Sequence, residues 1–400
     1  MTDVKIFTEL VEPEAVDQIY TLAKQPAFEG CKIRIMPDVH AGKGCVIGFT
    51  ADLGNKVIPN IVGVDIGCGM LTVNLGKCDI DFSQLDEYIR EYVPHGYNVH
   101  AGRLVKFPDL QNLFCYRELK DTKRLERAIG TLGGGNHFIE IDEDSNGNKY
   151  LIVHSGSRNL GKQVCEYYQA LAVDLMQGKD ELFKKQKELI EEYKKAGRRK
   201  EIESAIKELH RQWTPNKLGI PKDLAYLEGE YREQYLHDMA ICQLYAEYNR
   251  RWIANIILVK LFNLSVEHFD YFETIHNYID HDTNIVRKGA ISARAGEKVL
   301  IPVNMRDGCI IAVGKGNTDW NESAPHGAGR LMSRSKAKET LDVNDFINSM
   351  TGIYTSCVNH STIDESPAVY KPLDSILDNI SDTVEVIEII KPLYNFKASE

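Results

Sequence analysis

The chain has 400 residues, of which 43% are hydrophobic and 26% charged, and a formal net charge of −10. This is the composition of an ordinary globular protein with a substantial core, built as one large domain or two smaller ones. The negative charge argues against a protein that coats nucleic acid regardless of sequence, and the longest apolar run, 252–259, is far too short to cross a bilayer.

Cysteine usage and the N-terminal residues both predict a cytoplasmic protein. The nine cysteines are an odd number without paired CxxC spacing, which is typical of reduced thiols and not of a disulfide framework. The first residues lack the basic and then apolar layout of a signal peptide. No membrane partner is expected.

The first part of the chain alternates between strand-like and helical segments. Residues 30–75 are rich in Gly, Val and Ile and predict short strands joined by tight loops. Helices are predicted at Phe82–Tyr92 and at 118–129. A glycine-rich block, 130–137, then leads into further strands.

The remainder of the chain contains a long helical stretch. From 164 to 213 the composition turns to Lys, Glu and Leu, and Gly197 interrupts two helical patterns, which predicts a projecting helical hairpin. A long helix is predicted within 223–262, because apolar residues recur there at three- and four-residue spacing. Strands are predicted after it, at 271–279, 298–303 and 309–313. The pattern predicts an α+β fold of mixed sheets, a single domain over 1–400 with a helical insertion at about 164–262.

Two histidines mark the ends of a predicted β-hairpin. A strong turn signal at 142–148 separates the apparent strands 138–141 and 150–153. Counted back from the turn, His137 faces His154, and antiparallel neighbours of this kind stand about 5 Å apart. The pair could share a metal ion, or it could be structural.

Further metal-ligand types occur in two other segments. The glycine-lined turn 63–69 places Asp65 and Cys68 three residues apart, so both side chains can point into one cavity. His276 lies in a predicted strand. A thiolate, a carboxylate and imidazoles suit a borderline divalent ion such as Zn²⁺, Mn²⁺ or Co²⁺. The alternatives are a small buried Cys68 and a hydrogen-bonded core His276.

The segment around His326 has the residue types needed for phosphoryl chemistry. Small residues surround this histidine, so other groups can approach its imidazole closely. Arg330 and Arg334 follow, and their planar guanidinium groups suit phosphate oxygens. The segment could therefore hold or attack a phosphoryl group, or it could be a glycine-rich turn beside a solvated basic face. Asp38, His40 and Lys43 could line the same site, and for Asp38 and His40 the alternative is that they lock a turn through hydrogen bonds to the backbone.

Several short motifs occur along the chain in a fixed order. They are MPDVHAG at 36–42, GVDIGCG at 63–69, GGGNHFIE at 133–140, VHSGSR at 153–158, RKGA at 287–290 and HGAGR at 326–330. This order resembles that of the RtcB family, the GTP- and manganese-dependent RNA-splicing ligases. The resemblance runs from about residue 30 to the C-terminus and implies an RtcB-like fold.

The resemblance implies a centre of two manganese ions. Cys68 would bridge the ions, with Asp65 and His137 on one ion and His154 and His276 on the other. These five residues are the ones that the residue types alone nominate as candidate ligands.

The resemblance also implies a covalent intermediate. His326 would attack the α-phosphate of GTP to give histidine–GMP, while Arg330 and Lys288 would handle phosphate. An imidazole suits this role because its neutral form is nucleophilic near pH 7. The residues implied to bind the nucleotide, besides His326, are Asn136, Phe138, Glu140, Gly327, Gly329 and Lys397.

The implied activity is RNA ligation in RNA repair or tRNA splicing. An RNA 3′-phosphate would take GMP from His326, a 5′-hydroxyl would then displace GMP, and a 2′,3′-cyclic phosphate would first be hydrolysed. The family also implies RNA as partner and an archease-like activator. Within 300–309 the chain departs from the family, because Asn304, Arg306 and Asp307 stand where a glycine- and serine-rich nucleotide loop is typical.

Two other functions are compatible with the same residues. The first is a metal-dependent phosphodiesterase or nuclease that uses the metal cluster without nucleotidyl transfer. The second is a non-catalytic RNA-binding subunit whose metal is structural. The presence of both the candidate ligands and His326 with its arginines favours the ligase.

Overall fold

Strands and helices alternate in the computed structural model, which describes residues 2–42 and 44–398. The strands are β1 (Asp3–Ile6), β2 (Lys32–His40), β3 (Ile47–Asp52), β4 (Lys56–Val57), β5 (Gly69–Gly76), β6 (Phe138–Glu143), β7 (Lys149–Ser155), β8 (Leu227–Glu228), β9 (Asp270–Ile275), β10 (Asn277–Ile279), β11 (Ile285–Lys288), β12 (Ala290–Ser292), β13 (Lys298–Asn304), β14 (Gly308–Gly314), β15 (Ser323–Pro325) and β16 (Val384–Lys397). The α-helices are α1 (Pro13–Ala23), α2 (Pro59–Val62), α3 (Phe82–Tyr92), α4 (Thr122–Arg127), α5 (Arg158–Met176), α6 (Lys179–Lys195), α7 (Ile202–Gln212), α8 (Gly229–Phe262), α9 (Arg334–Thr340), α10 (Val343–Ser349) and α11 (Leu373–Ile380). Lys43, which the sequence places near the candidate site, lies outside the described residues.

A large antiparallel sheet has the strand order β13-β14-β16-β6-β7-β5-β9. Side chains alternate between its two faces. One face, which includes Ile139 and Val153, packs in an apolar cluster with Ile253 and Ile257 of α8. The opposite face carries Phe138, Ile152 and the other residues of a separate apolar cluster. The site residues of β6 and β7 therefore lie on the face away from α8.

A second sheet has the order β1-β2-β3-β11-β10, in which β1 is parallel to β2 and the other pairs are antiparallel. Its apolar residues pack in one cluster with residues of α1, α5 and α8. Asp38 lies near the end of β2, and Lys288 ends β11. This sheet therefore brings a carboxylate and a cation toward the first sheet.

The helical stretch agrees with the predictions. Helices α6 and α7 form the hairpin around Gly197, and α8 is the long helix. The mixed α+β fold is confirmed. Strands β7 and β9, which flank these helices, both pair with β5. We therefore propose that 164–262 is an insertion within a single domain spanning 1–400.

Three local predictions need correction. The predicted helix 118–129 is only α4, because Asp121 caps its start and Asn249 accepts hydrogen bonds from the backbone N–H groups of residues 130 and 131 just beyond its end. The predicted strand 271–279 is interrupted at His276, between β9 and β10. The segment 30–75 also contains the short helix α2, where Pro59 at the first position favours a helical turn. Among the described residues, no helix has the length and apolar character needed to cross a membrane.

Arg250 of α8 connects the helix to the large sheet. Its side chain is fully buried, and it donates to the carbonyls of Gly67 at 2.7 Å and Ser155 at 3.1 Å. It also pairs with Glu273 of β9 at 2.5 Å. One guanidinium therefore fixes the loop before β5, the end of β7 and a neighbouring strand.

We expect Arg250→Met to lower the free energy of unfolding by about 3–5 kcal/mol, because it leaves a buried carboxylate and two carbonyls without their donor. Urea denaturation followed by circular dichroism measures this change. Arg251→Met is the matched control, since the ion pairs of Arg251 and its hydrogen bond to the Tyr271 hydroxyl are partly exposed and their loss should cost under about 1 kcal/mol. Equal losses in the two variants would contradict the role assigned to Arg250.

Candidate active site

Four chain segments bring the predicted metal ligands together. Asp65 and Cys68 lie in the loop between α2 and β5, and His137 directly precedes β6. His154 lies near the end of β7, and His276 occupies the break between β9 and β10. The loop can approach α8 because Gly67 has φ +73°, and a Cβ there would come within 2.9 Å of the Gln243 backbone.

The five side chains form two groups that share one sulfur. In the first group, His137 Nε2 lies 2.9 Å from Asp65 Oδ2 and 3.4 Å from Cys68 Sγ. In the second, His154 Nε2 lies 3.3 Å from Cys68 Sγ and 3.0 Å from His276 Nε2. Both groups have the ligand types and spacing to hold a metal ion. Cys68 could therefore contact two ions.

Backbone carbonyls fix which nitrogens face the cluster. His137 Nδ1 lies 2.8 Å from the Leu132 carbonyl, and His154 Nδ1 lies 3.2 Å from the Asn136 carbonyl. A carbonyl oxygen can only accept, so each Nδ1 carries the proton and donates it. In a neutral ring this leaves the Nε2 lone pair directed at the cluster, as in a metal-ligating histidine.

This arrangement sets acceptor atoms against one another. The Nε2 of His137 faces a carboxylate oxygen, and the Nε2 of His154 faces another imidazole nitrogen. Two lone pairs at about 3 Å repel unless a proton or a cation lies between them. The donor set therefore fits a divalent cation, which satisfies all the inward atoms at once.

Burial sets the charge states of the ligands. It lowers the pKa of His154 and of His276 well below the usual range, so both are neutral. Burial, with the adjacent Asp65 charge, raises the pKa of the Cys68 thiol well above its usual range. Burial alone would raise the pKa of Asp65, but a proton on His137 Nε2, in the place that a cation would take, supplies the charge and the hydrogen bond that lower this pKa to about 2. Cys68 would therefore release its proton when it binds a metal ion as a thiolate.

The predicted hairpin register is wrong by one residue. His154 stands opposite Phe138, and His137 lies one position before the strand. The two strands extend to Glu143 and Lys149, so the turn between them is shorter than the predicted turn 142–148 and the pairing is shifted by one residue. The two imidazole rings are nevertheless 5.3 Å apart, because His137 turns toward the cluster from outside the strand.

His326 follows β15 and is held by Asp38 of β2. Asp38 is fully buried; its Oδ2 lies 2.6 Å from His326 Nδ1 and also accepts the His326 backbone N–H at 3.1 Å. The carboxylate keeps a proton on Nδ1 and leaves Nε2 available as a nucleophile. The ring of His326 lies 4.9 Å from that of His276, so this nitrogen belongs to the same site as the metal cluster.

Asp38 combines parts of the two roles considered for it: it supports the site by contacting the His326 ring, and it also accepts a backbone N–H. His40 lines the cavity beside it, and its Nδ1 lies 3.0 Å from the Asp38 carbonyl. Burial lowers the pKa of His40, so the ring is neutral. Sequence reasoning named Asp38 but could not assign its partner, which is 288 residues away.

A cavity of about 240 Å³ joins His326 to the predicted nucleotide residues. It is lined on one side by His154 and His276 of the metal cluster. Its lining also includes every other residue that the resemblance assigns to the nucleotide: Asn136, Phe138, Glu140, Gly327, Gly329 and Lys397. Arg330 lines it as well, so His326 and its arginine face one enclosed space.

The far end of this cavity combines an aromatic ring with opposite charges. Glu140 is buried and accepts a hydrogen bond from Asn395 Nδ2 at 3.0 Å. Burial raises the pKa of Glu140 to about 7, although Asn395 and Lys397 act in the opposite direction. The Lys397 ammonium lies 5.4 Å from the centre of the Phe138 ring. A flat heterocycle with donors and acceptors on its edge would fit this end.

The divergent segment 300–309 contributes to the cavity only in part. Asn304 lines it, and its Nδ2 donates to Asp307 at 2.8 Å. Arg306 is exposed and pairs with Asp307 at 2.9 Å. These two charged residues therefore bind each other and do not replace the missing hydroxyl groups.

Lys288 lies in a different cavity from His326. Its ammonium approaches the Asn60 carbonyl at 3.5 Å, and its cavity is also lined by Asp65. Burial lowers the pKa of Lys288. A third cavity, lined by Asp65 and His137, is also lined by the half-buried Arg158, which stands in the VHSGSR motif without a predicted role. The metal cluster is thus bordered by cations on several sides.

The site combines candidate metal ligands with a histidine paired to a buried carboxylate, and comparisons identify the family. The model of the family described as tRNA-splicing ligase RtcB matches residues 18–398. An RNA-splicing ligase RtcB1 and an RNA-splicing ligase RtcB (strain K12), both of Escherichia coli, are each 33% identical over 95% of this chain and 93% of their own length. A tRNA-splicing ligase RtcB of Archaeoglobus fulgidus is 26% identical over 92% and 88%. The chain belongs to the RtcB family.

We expect Cys68→Ala to lower the bound metal from two ions to one or none per chain, because this sulfur belongs to both groups of ligands. His154→Ala should lose at most one ion. Metal content after dialysis against Mn²⁺ is measured by plasma mass spectrometry. Cys242→Ala is the control: it alters a different buried thiol, which lies in α8, and should retain wild-type metal. Full occupancy in Cys68→Ala would show that the ligand assignment is wrong.

Proposed function

We propose that this chain is an RNA ligase that joins RNA 3′-phosphate or 2′,3′-cyclic phosphate ends to 5′-hydroxyl ends. GTP would supply a covalent histidine–GMP intermediate, and two Mn²⁺ ions would be held by Asp65, Cys68, His137, His154 and His276. The observation that carries the proposal is that His326, which lines the cavity bordered by the candidate metal ligands, is paired with the buried Asp38. The names of the relatives support an RNA substrate and a role in splicing or repair.

The two groups of ligands described above would each hold one ion. Asp65 and His137 would bind one ion, His154 and His276 the other, and Cys68 both. Bound Mn²⁺ would neutralise and orient phosphate oxygens. Arg330, which lines the cavity, adds a fixed positive charge for the same phosphates.

The first chemical step forms a phosphorus–nitrogen bond. The Nε2 lone pair of His326 attacks the α-phosphorus of GTP, and the bond to pyrophosphate breaks. Pyrophosphate leaves with the electron pair, and His326 becomes a phosphorylated imidazolium. Asp38, paired with Nδ1, stabilises the positive ring.

The RNA steps use the same phosphorus and then the neighbouring one. A 3′-phosphate oxygen of RNA attacks the GMP phosphorus, and the bond to His326 breaks, which returns the neutral imidazole. The 5′-hydroxyl of the second RNA end then attacks the 3′-phosphorus and loses its proton to solvent, and GMP leaves with the electron pair of the broken bond as the phosphodiester forms. A cyclic phosphate is first opened by water to the 3′-phosphate.

The nucleotide base would occupy the far end of the cavity. Phe138 offers a flat apolar face, Glu140 accepts donors on the base edge, and Lys397 offers donors to an acceptor. An archease-like activator is also part of the proposal, tested by turnover with and without it. The free thiols of the described residues suit a cytoplasmic location.

We expect the wild type, incubated with Mn²⁺ and α-labelled GTP, to form an acid-labile protein adduct that survives denaturing electrophoresis. His326→Ala should form none, because no other nucleophile replaces Nε2. His268→Ala, which alters an exposed histidine, is the control and should label normally. Opening of a cyclic phosphate without any adduct in the wild type would favour the phosphodiesterase instead.

Asp38→Asn should slow adduct formation by about 10²–10⁴-fold, because an amide cannot stabilise the imidazolium and can favour the wrong tautomer. Rapid-quench labelling with GTP measures the rate, and equilibrium binding of GTP should change little. An unchanged rate would show that the carboxylate only fixes the turn at the end of β2.

A further inference from the structure

Glu365 is a buried carboxylate in the cavity wall that the proposed chemistry leaves without a role. It ends the short helical turn His360–Glu365, and only 2% of its surface is exposed. It lines the same cavity as His326 and Lys397. A buried carboxylate in a ligand cavity is costly unless other groups compensate it, so its partners indicate what it does.

Donors from different parts of the chain converge on this carboxylate. Oε2 accepts from Lys397 Nζ at short range and from the Tyr370 hydroxyl at 2.7 Å. Oε1 lies 3.1 Å from Arg334 Nη2 and 3.4 Å from Arg330 Nη1. Burial would raise the pKa of Glu365, but Lys397 and the arginines lower it to about 2, so the group is ionised. One carboxylate thus anchors three cations.

The two oxygens serve different ends of the cavity. Oε1 contacts the guanidinium groups, of which Arg330 follows His326 by four residues. Oε2 contacts Lys397, which stands opposite Phe138 in the sheet, at the end where Glu140 lies. The arginines have other anchors, since Arg330 also donates to the Asp364 carbonyl and Arg334 to the Asp364 carboxylate.

Lys397 depends more on Glu365 than the arginines do. Within residues 2–42 and 44–398, Lys397 forms an ion pair with Glu365 alone, and its ammonium also lies over the face of Phe138. A lysine ammonium stands on a flexible four-carbon stem, and fixing it removes considerable rotamer freedom. An ammonium held at one oxygen keeps two further N–H donors for a ligand.

A fixed ammonium beside a carboxylate acceptor selects a particular base edge. Glu140 requires donors, such as a ring N–H and an exocyclic amino group. Lys397 requires an acceptor next to them, and it disfavours an amino group at that place, because two donors would then face each other. A purine with a carbonyl at position six has this order of groups, and one with a 6-amino group does not.

We propose that Glu365 is a positioning residue for base selection: it holds the Lys397 ammonium where position six of a purine must be a hydrogen-bond acceptor. The inference rests on the proposed function, since it concerns the nucleotide that forms the adduct with His326. Without the anchor, Lys397 can move away from the base edge, and a poor acceptor at position six is then no longer penalised.

The experiment compares nucleotides that differ at one position of the base. GTP and 6-thio-GTP differ only at position six, where sulfur is the weaker acceptor. GTP and ITP differ only at position two, which would contact Glu140 and not Lys397. The second-order rate constant of adduct formation is measured with each nucleotide for wild type, Glu365→Gln, Tyr370→Phe and Lys397→Ala.

We expect Glu365→Gln to reduce the preference for GTP over 6-thio-GTP by about tenfold, the size of one hydrogen bond to a charged group. Its preference for GTP over ITP should stay within about twofold of the wild-type value, because substitutions at separate sites have nearly independent effects, within about 0.5 kcal/mol. Lys397→Ala should show the same loss at position six, and the double variant no further loss. Tyr370→Phe, which removes one donor but no charge, should show a smaller loss in the same direction.

Several results would overturn the inference. They are an unchanged preference at position six in both Glu365→Gln and Tyr370→Phe, equal losses at positions six and two, or no effect of Lys397→Ala at position six. If Glu365→Gln does not fold, as judged by its melting temperature, Tyr370→Phe decides between the outcomes. A wild type that forms no adduct with any of these nucleotides would overturn the proposed function itself, and this inference with it.

Discussion

The orientation of two imidazole rings by backbone carbonyls is the constraint on which the site depends. The carbonyls of Leu132 and Asn136 hold the Nδ1 protons of His137 and His154, so both Nε2 atoms face Cys68. Side chains buried with acceptors facing one another are stable only around a cation or shared protons. The surrounding fold keeps these side chains in place. Arg250 contributes by donating hydrogen bonds to the carbonyls of Gly67 and Ser155, which are next to the ligands Cys68 and His154 in sequence.

Because side chains alternate along the central strands, one face of the large sheet packs in the core and the other face lines the cavity. Ile139, Ile141, Leu151 and Val153 of β6 and β7 form an apolar cluster with α8. Their neighbours on the other face, such as Phe138 and Glu140, line the cavity. Strand β16 completes the cavity with Asn395 and Lys397, although it lies more than 250 residues away in sequence. The site therefore forms only when the terminal strand joins the sheet.

What the sequence predicts well is what local periodicity or a motif encodes. Helix Phe82–Tyr92, the long helix and the helical hairpin are visible in spacing and composition, and all the predicted ligands except His276 lie in motifs. The predicted hairpin register is wrong by one residue, because turn signals do not fix where strand pairing begins. Glu365 and Asn395 stand in no motif, and only tertiary packing brings them to Lys397 and Glu140. The partner of Asp38 was hidden for the same reason.

The arrangement of cavities around the metal cluster suits successive displacements at phosphorus. In each displacement the entering and leaving groups stand roughly in line, on opposite sides of the phosphorus. A cluster with a single opening could not admit a nucleotide and two RNA ends. Here His154 and His276 face the cavity of His326, while Asp65 faces one cavity with Lys288 and another with Arg158. Cations therefore border the cluster on the sides away from the nucleotide, where a phosphate backbone would need them.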